Sequence, residues 1–191
     1  MPRRERQVYG LVNKAVEDLV CSRHGEDAWA EILARAEVTV AGFVSMEPYP
    51  DEVTYRLVGA ASEVLGEPTP AVLEALGEHF IRYTAPAAYG ELMATFGANM
   101  REFLGNLDAM HARVGLCYPK LRPPSFVVRD VAPGVVELEY HSTREHLAPM
   151  VVGLLRGLGR SFGVEARVEH VHGRERGGFD LFRVETEEAA A

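Results

Sequence analysis

The chain has 191 residues, which is enough for one compact domain with a substantial core or for two small lobes. Hydrophobic residues make up 47% and charged residues 25% of it, an ordinary globular composition. The net charge of −8 argues against nucleic acid and anionic membranes as the main partners. No apolar run reaches membrane-spanning length, and the basic start lacks the apolar segment of a secretion signal. With two cysteines only, neither in a zinc-binding spacing, we expect a reduced cytoplasmic location.

The first 116 residues are predicted to be mainly helical. Apolar residues recur there at helical spacing, which predicts amphipathic helices over 8–20, 25–37, 51–65, from Thr69, over 89–96 and over 97–116. Gly66, Pro68 and Pro70 interrupt this pattern, so a soft boundary is expected near residue 66. We therefore predict a helical N-terminal lobe over about 1–66.

The pattern changes after Pro123 and Pro124, where apolar and polar residues begin to alternate. This alternation predicts strands over 125–131, 135–142, 163–171 and 178–185, with an amphipathic helix around 147–158 in the middle. A β-β-α-β-β order predicts an α+β fold with a four-stranded antiparallel sheet. The C-terminal lobe is expected over about 67–185, with a solvated tail over 186–191, and the two lobes form a single domain over 1–191.

One histidine lies on the apolar side of a predicted helix. His111 follows Leu107 by one helical turn, so its imidazole needs a hydrogen-bond partner or a metal ion. Spacing alone favours a core histidine bonded to a backbone carbonyl, because most buried polar groups are satisfied in that way. The alternative is an axial ligand to haem iron.

A second pattern ends the predicted strand over 135–142. Tyr140, Ser142 and Arg144 alternate, so in an extended strand they share one face and present two hydroxyls and a guanidinium. Such a set binds a carboxylate well. The alternative is an ordinary strand end with an exposed arginine, which gives the same sequence pattern. Together with His111, this set meets two needs of haem, a nitrogen donor for iron and counter-charge for two propionates.

Four segments carry a resemblance to a known family. They are Tyr9–Asn13 (YGLVN), the NLDAMH stretch that ends at His111, the PPSF stretch over 123–126, and the Y-x-S-x-R motif over 140–144. In this combination and spacing they resemble the haem nitric oxide/oxygen-binding family, whose domain is the sensor module of soluble guanylate cyclase. The likeness runs over about residues 8–185, and it implies a haem b held between the two lobes.

The resemblance also implies a role for each site residue. His111 corresponds to the proximal ligand of the iron, and Pro124 to the proline that presses on the porphyrin. Tyr140, Ser142 and Arg144 correspond to the propionate-binding residues. The remaining haem contacts are expected from apolar side chains, namely Leu107 beside the proximal ligand and Val12, Val16, Phe80 and Met150 on the distal side.

The expected distal set contains no hydroxyl group. Oxygen-binding members of the family place a tyrosine on the helix after Y-x-S-x-R, and the matching residue here is Met150. A lost hydrogen bond to a charged group costs about 1.5–3 kcal/mol, so the resemblance predicts binding of nitric oxide and carbon monoxide with exclusion of oxygen. Two alternatives stay open, since His146 could turn inward as a donor and the Met150 thioether could ligate iron.

Three functions remain open at this stage. The resemblance favours a gas sensor that signals through rupture of the His111–iron bond to a separate effector, a histidine kinase or a cyclic-dinucleotide enzyme. A separate effector is expected because the chain ends without a cyclase, kinase or coiled-coil segment. A passive haem and nitric oxide carrier, or a haem-free module for an apolar ligand, are the alternatives. We do not expect an enzyme, since no nucleophile–base pair or acid–base dyad is evident.

Other metal-binding or redox-active residue types are predicted to be structural. Cys21 and Cys117 follow helices, without a neighbouring group that would lower a thiol pKa. His170 and His172 alternate on a predicted strand, which favours an exposed strand end over a metal site.

Overall fold

The computed structural model describes residues 7–117 and 122–188. Its N-terminal elements are β1 (Gln7–Tyr9), α1 (Gly10–His24), α2 (Glu26–Arg35), β2 (Pro48–Pro50) and α3 (Asp51–Leu65). The middle of the chain forms α4 (Thr69–His79), a π-helical segment (Phe80–Thr84), α5 (Ala85–Ala94), α6 (Met100–Gly105) and α7 (Leu107–Cys117). The C-terminal elements are β3 (Ser125–Ala132), β4 (Val135–His141), α8 (Ala148–Ser161), β5 (Val164–His172), a 3-10 turn (Arg174–Arg176) and β6 (Asp180–Glu188). No helix within the described ranges combines the length and the apolar character that crossing a membrane requires.

The N-terminal helices pack around a buried apolar cluster. Val16, Ile32 and Leu57 are almost completely buried there, and apolar residues of α4 belong to the same cluster. Strand β1 pairs antiparallel with β2, with Gln7 opposite Pro50. This pair was not predicted, because a three-residue strand is too short to show a period and two of the three residues of β2 are prolines. Since Gln7–Tyr9 are extended, the first helix begins at Gly10 rather than at residue 8.

The predicted helix over 97–116 is wrong as a single element. It is divided at Asn106 into α6 and α7. The Asn106 side chain donates to the Phe96 carbonyl at 2.8 Å, a contact outside its own helix that favours a turn. In the same region, α4, the π-helical segment and α5 follow one another along the chain, but the helical backbone is interrupted at Tyr89 (φ −141°), where the helix predicted over 89–96 was expected to begin.

The C-terminal part confirms the predicted α+β fold. Its four strands form an antiparallel sheet in the order β3-β4-β6-β5, with α8 packed against one face. Leu138, Phe182 and Val184 are completely buried at this contact. The last strand runs further than expected: β6 continues to Glu188, which pairs with Val164. The tail predicted to begin at residue 186 is therefore wrong in its first residues, because strand pairing stabilises an acidic segment whose composition suggested only solvation.

Helices α4 and α8 touch backbone to backbone. A Cβ atom on Gly153 would lie 2.0 Å from the Glu74 carbonyl oxygen, and one on Gly77 would lie 2.2 Å from the Met150 carbonyl oxygen. Two ion pairs bridge the same helices, Arg156 to Glu74 at 2.6 Å and Arg160 to Glu78. The contact joins the helical cluster to the helix that covers the sheet.

We predict that Gly153→Ala lowers the free energy of unfolding by about 1–3 kcal/mol, because the added methyl group must push two backbones apart. Gly59→Ala in α3 is the matched control, since nothing lies within 4 Å of its would-be Cβ atom. That substitution is expected to stabilise by about 0.4–1 kcal/mol by restricting the unfolded chain. Urea denaturation followed by circular dichroism measures both, and equal effects at the two positions would contradict the close approach.

Candidate functional site

An apolar cavity of about 330 Å³ lies between the N-terminal helices and the sheet. This volume is within the range of small-molecule and cofactor sites. Its walls come from both predicted lobes: α1 and α3 on one side, α4, α5 and α7 around it, and β4 and α8 on the other. This cavity thus brings together segments that lie more than 100 residues apart in the chain.

Most of the predicted site residues line this cavity. They are Val12, Phe80, Leu107, His111, Pro124, Tyr140, Arg144 and Met150. Two predicted residues do not. Val16 is 1% exposed and packs inside the N-terminal cluster, because on α1 it follows Val12 by four residues and lies one turn deeper. Ser142 lies just beyond the end of β4, outside the lining.

The imidazole of His111 is the unusual polar group of the cavity wall. Its Nδ1 atom is buried without a hydrogen-bond partner among the described residues. The ring stacks on Phe126, with 5.5 Å between the ring centroids. Burial lowers the pKa of His111, although the carboxylate of Asp108 opposes this effect. At Nδ1, therefore, no described carbonyl supplies the hydrogen bond of a core histidine, the alternative favoured by spacing alone. A neutral imidazole keeps one nitrogen lone pair, which is the donor that iron accepts.

One contact joins α7, the helix of His111, to β3, and a second joins the preceding helix α6 to the same strand. The Asp108 carboxylate accepts the backbone N–H of Phe126 at 2.8 Å. Arg101, on the preceding helix, donates to Asp130 of β3 at 2.7 Å. Asp108 belongs to the NLDAMH stretch, so the sequence pointed to this residue. That Asp108 bonds to Phe126 follows only from the fold.

The Tyr140, Ser142 and Arg144 set differs from the predicted common strand face. Strand β4 ends at His141, so Ser142 and Arg144 belong to a loop. The Ser142 hydroxyl accepts the backbone N–H of Arg144 at 3.1 Å, and it also hydrogen-bonds to Tyr140. Tyr140 is 6% exposed, and burial raises the pKa of its phenol, with the hydrogen bond to Ser142 and the charge of Arg144 acting in the opposite direction. The phenol is therefore protonated and able to donate.

Arg144 forms a buried ion pair that sequence reasoning missed. Its guanidinium donates to both Asp51 carboxylate oxygens at 2.9 and 3.3 Å, to the Gln7 carbonyl at 2.7 Å and to the Arg122 carbonyl at 3.2 Å. The Arg144 and Asp51 side chains are only 15% and 5% exposed. Four of the five N–H donors are thus engaged by described residues, which leaves one for a further anion. The ion pair joins the first turn of α3 to the loop after β4, a pairing across 93 residues.

Hydroxyl groups do reach the cavity, contrary to the expected distal set. Thr54 and Tyr55 line it, and neither was predicted. The Thr54 hydroxyl donates to the Asn13 side-chain oxygen at 2.6 Å, and the Tyr55 hydroxyl donates to the Glu145 carbonyl at 3.0 Å. Tyr9 and Tyr89 also line the cavity, and each has an interaction partner of its own. The donor protons of Thr54 and Tyr55 are therefore already used.

The structure also shows where His146, considered as an inward-turning donor, and Met150, considered as an iron ligand, lie relative to the cavity. His146 is exposed, has a left-handed φ of 63° and lies outside the cavity lining. Met150 lines the cavity on α8, as predicted for a distal residue.

Cys21, His170 and His172 lie outside the cavity lining. Cys21 is half-buried, and burial and the nearby Glu17, Glu26 and Asp18 raise the pKa of its thiol. The Cys117 side chain lies outside the described residues. His170 contacts the Asp180 carboxylate at 3.0 Å, an acidic partner supplied by the neighbouring strand. Among the described residues no cluster of three metal-ligating side chains occurs.

Comparison with known proteins identifies the family of the chain. The sequence model of the family described as Haem-NO-binding matches residues 9–170. The chain belongs to this family. The soluble guanylate cyclase gcy-35 of Caenorhabditis elegans is 29% identical over 182 residues, which cover 93% of this chain and 26% of that protein. The soluble guanylate cyclase subunit beta-2 of Rattus norvegicus is 35% identical over 92 residues, 48% of this chain and 14% of that subunit. The chain thus spans about a quarter or less of the length of the curated relatives it matches.

Solved structures share the H-NOX fold. An H-NOX protein variant from Shewanella oneidensis in the Fe(II) state superposes with a TM-score of 0.87 at 19% identity, covering 96% of this chain and 98% of that one. The Fe(II) unliganded H-NOX protein from K. algicida gives 0.82 at 21% identity, covering 96% and 99%. The resemblance stated from the sequence motifs is therefore confirmed, and the chain is an H-NOX domain.

A second buried histidine of this H-NOX domain lies outside the cavity lining. His79 is 7% exposed, and its Nε2 atom has no partner among the described residues. Burial lowers the pKa of His79, and the charges of Arg23 and Arg82 add to this while Asp18 opposes it. At mildly acidic pH the unfolded chain consequently binds more protons than the folded chain does.

We predict that the free energy of unfolding falls as the pH drops below about 6.5, the pKa of an unperturbed histidine, because His79 must stay neutral in the folded chain. His79→Gln is expected to reduce this slope between pH 7.5 and 5.5. His24→Gln, at an exposed position on α1, is the matched control and should keep the slope of the unmodified chain. Urea denaturation at each pH measures the effect, and an identical slope in all three proteins would contradict it.

Proposed function

We propose that this H-NOX domain is a haem-based sensor that binds nitric oxide and carbon monoxide, excludes oxygen and signals to a separate effector. The observation that carries the proposal is the buried, unpartnered Nδ1 of His111 at the wall of an apolar cavity, among the residues that the structure describes. Bound haem b would supply a ferrous iron at which diatomic gases bind. His111 would hold that iron, and Pro124 and Leu107 would contact the porphyrin.

The carboxylate arms of haem have matching donors at one end of the cavity. The Tyr140 phenol is protonated, and Arg144 retains one N–H donor after its contacts to described residues. Ser142 would act mainly on its neighbours, since its hydroxyl already bonds to Tyr140 and to the Arg144 backbone. Tyr140 and Arg144 would thus offer hydrogen-bond donors to the propionates, while Asp51 already balances the charge of Arg144.

The preference for nitric oxide rests on donors that are absent or occupied. Val12, Phe80 and Met150 bring no hydroxyl to the cavity, while Thr54 and Tyr55 already donate elsewhere. Bound oxygen gains strongly from a donated hydrogen bond, which is worth about 1.5–3 kcal/mol to a charged acceptor, or roughly 10- to 150-fold in affinity. Nitric oxide binds ferrous haem without such help. Without a free hydroxyl donor from these described residues, the domain would bind oxygen much more weakly than nitric oxide.

Signalling would start with the release of His111. Its ring is carried by α7, which Asp108 fixes to the start of β3 next to Pro124. A free His111 would remove one constraint on α7 and would change how this helix packs on β3. An effector that binds the two arrangements with different affinity would read the difference, which is the requirement for allostery. A histidine kinase or a cyclic-dinucleotide enzyme is the proposed class of effector.

We predict that His111→Gly purifies with less than about a tenth of the haem of the unmodified chain, because it removes the only protein bond proposed for the iron. Adding imidazole is expected to restore haem binding, since the free ligand can occupy the space of the deleted ring. Haem content is measured from the Soret absorbance relative to protein.

His79→Gln is the control for this experiment, because it changes the other buried histidine with an unpartnered ring nitrogen among the described residues. This variant should retain full haem content. Full haem occupancy of His111→Gly without imidazole would refute the assigned ligand.

We further predict three distinct responses in absorption spectra of the ferrous protein. Air should leave the spectrum recorded under argon unchanged, apart from slow oxidation, whereas nitric oxide and carbon monoxide should each shift the Soret band. Met150→Tyr is expected to create stable oxygen binding by supplying a donor to the cavity. A stable oxygen complex in the unmodified chain would disprove the selectivity while leaving the haem site intact.

A further inference from the structure

The loop over 142–146 connects β4 to α8 and carries Ser142 and Arg144. It contains no helix or strand, and His146 within it has a positive φ of 63°. A loop of this kind does not hold its own shape through backbone hydrogen bonds, so its position depends on side chains that bond to it. Tyr55 provides one such contact from α3, to the carbonyl of Glu145.

Arg174 provides two more contacts from the opposite side. It lies in the 3-10 turn (Arg174–Arg176) between β5 and β6. Its Nη2 atom donates to the Ser142 carbonyl at 2.7 Å, and its Nη1 atom donates to the Arg144 carbonyl at 3.1 Å. Both bonds are partly buried and join residues that lie 30 and 32 positions apart.

We infer that Arg174 is a positioning residue of the haem site, which sets the backbone of the loop that presents Ser142 and Arg144. This inference rests on the proposed haem function, because its consequence concerns the propionate contacts. The Arg144 residue is then fixed at both ends: its carbonyl by Arg174, and its guanidinium by Asp51 and the Gln7 carbonyl.

The planar guanidinium suits this task. Two parallel N–H donors reach two carbonyls that lie two residues apart, which a single ammonium group cannot do with the same geometry. A partly buried carbonyl without a donor also destabilises its conformation, so losing Arg174 would release both carbonyls together. The positive charge of Arg174 also reaches the Tyr140 phenol, where it acts with Arg144 against the effect of burial on the pKa.

The first test compares haem loss in Arg174→Ala, Arg174→Lys and Arg176→Ala. Arg176 is the matched control, an exposed arginine of the same turn. Haem transfer to excess apomyoglobin measures the dissociation rate. We expect about tenfold faster loss from Arg174→Ala, the effect of weakening one hydrogen bond to a charged group. Arg174→Lys should fall between that variant and the unmodified chain, and Arg176→Ala should match the unmodified chain.

The second test uses amide hydrogen exchange of the haem-free protein, which needs no bound cofactor. Arg174→Ala is expected to accelerate exchange in the 142–146 loop, with β4 and α8 unchanged, and Arg176→Ala is expected to have no effect. Faster haem loss accompanied by faster exchange throughout the chain would indicate general destabilisation and would overturn the positioning role. Unchanged haem loss and unchanged loop exchange in Arg174→Ala would overturn it as well.

The two proposals can fail separately. If the unmodified chain takes up no haem, the proposed function fails, while loop exchange still decides whether Arg174 positions the loop. If Arg174→Ala does not fold, Arg174→Lys carries the test, and loop exchange equal to that of the unmodified chain would overturn the inference.

Discussion

His111 lines an almost wholly apolar cavity, and its buried Nδ1 atom has no partner among the described residues. A buried polar atom that lacks a hydrogen bond costs about 1–3 kcal/mol, which a fold accepts most readily where a ligand supplies the missing bond. The surrounding contacts hold this ring and its helix in position. Phe126 stacks on it, and Asp108 joins its helix to the strand that begins beside Pro124. The geometry of the cavity wall therefore depends on where α7 is held.

The two parts of the molecule meet through contacts of different strength. At α4 and α8 the backbones touch directly through Gly77 and Gly153, which leaves little freedom to slide. Around the 142–146 loop the connection is made by side chains, with Arg144 paired to Asp51 and Tyr55 bonded to a carbonyl. Hydrogen-bonded side chains can exchange partners when an anion arrives, whereas a close backbone contact cannot. Under the proposed function, a ligand bound at this junction would act on the side-chain contacts rather than on the backbone contact.

Hydrophobic periodicity correctly predicted those elements whose boundaries are set by nearby residues. The helix expected over 51–65 occurs as α3 (Asp51–Leu65), because its apolar face repeats regularly and Gly66 ends it in a left-handed conformation. The predictions failed where a distant partner decides the structure. Asn106 breaks a regular helix by bonding to Phe96, and β6 extends through an acidic segment because β5 pairs with it. The family resemblance assigned Val16 to the distal set, although small changes in helix orientation decide which of two successive turns faces a cavity.

The sequence by itself determined the fold class, the family and the candidate ligand, because the motif around His111 and the Y-x-S-x-R motif are contiguous and keep their spacing. Of the apolar residues expected to contact haem, Val12, Phe80, Leu107, Pro124 and Met150 line the cavity, although most of the other apolar lining residues were not predicted. Only the tertiary structure decided that Arg144 pairs with Asp51, that Thr54 and Tyr55 reach the cavity with their donors occupied, and that Arg174 bonds to the 142–146 loop. Each of these contacts joins segments at least 30 residues apart. Such pairings depend on how elements pack in space, and no local periodicity encodes them.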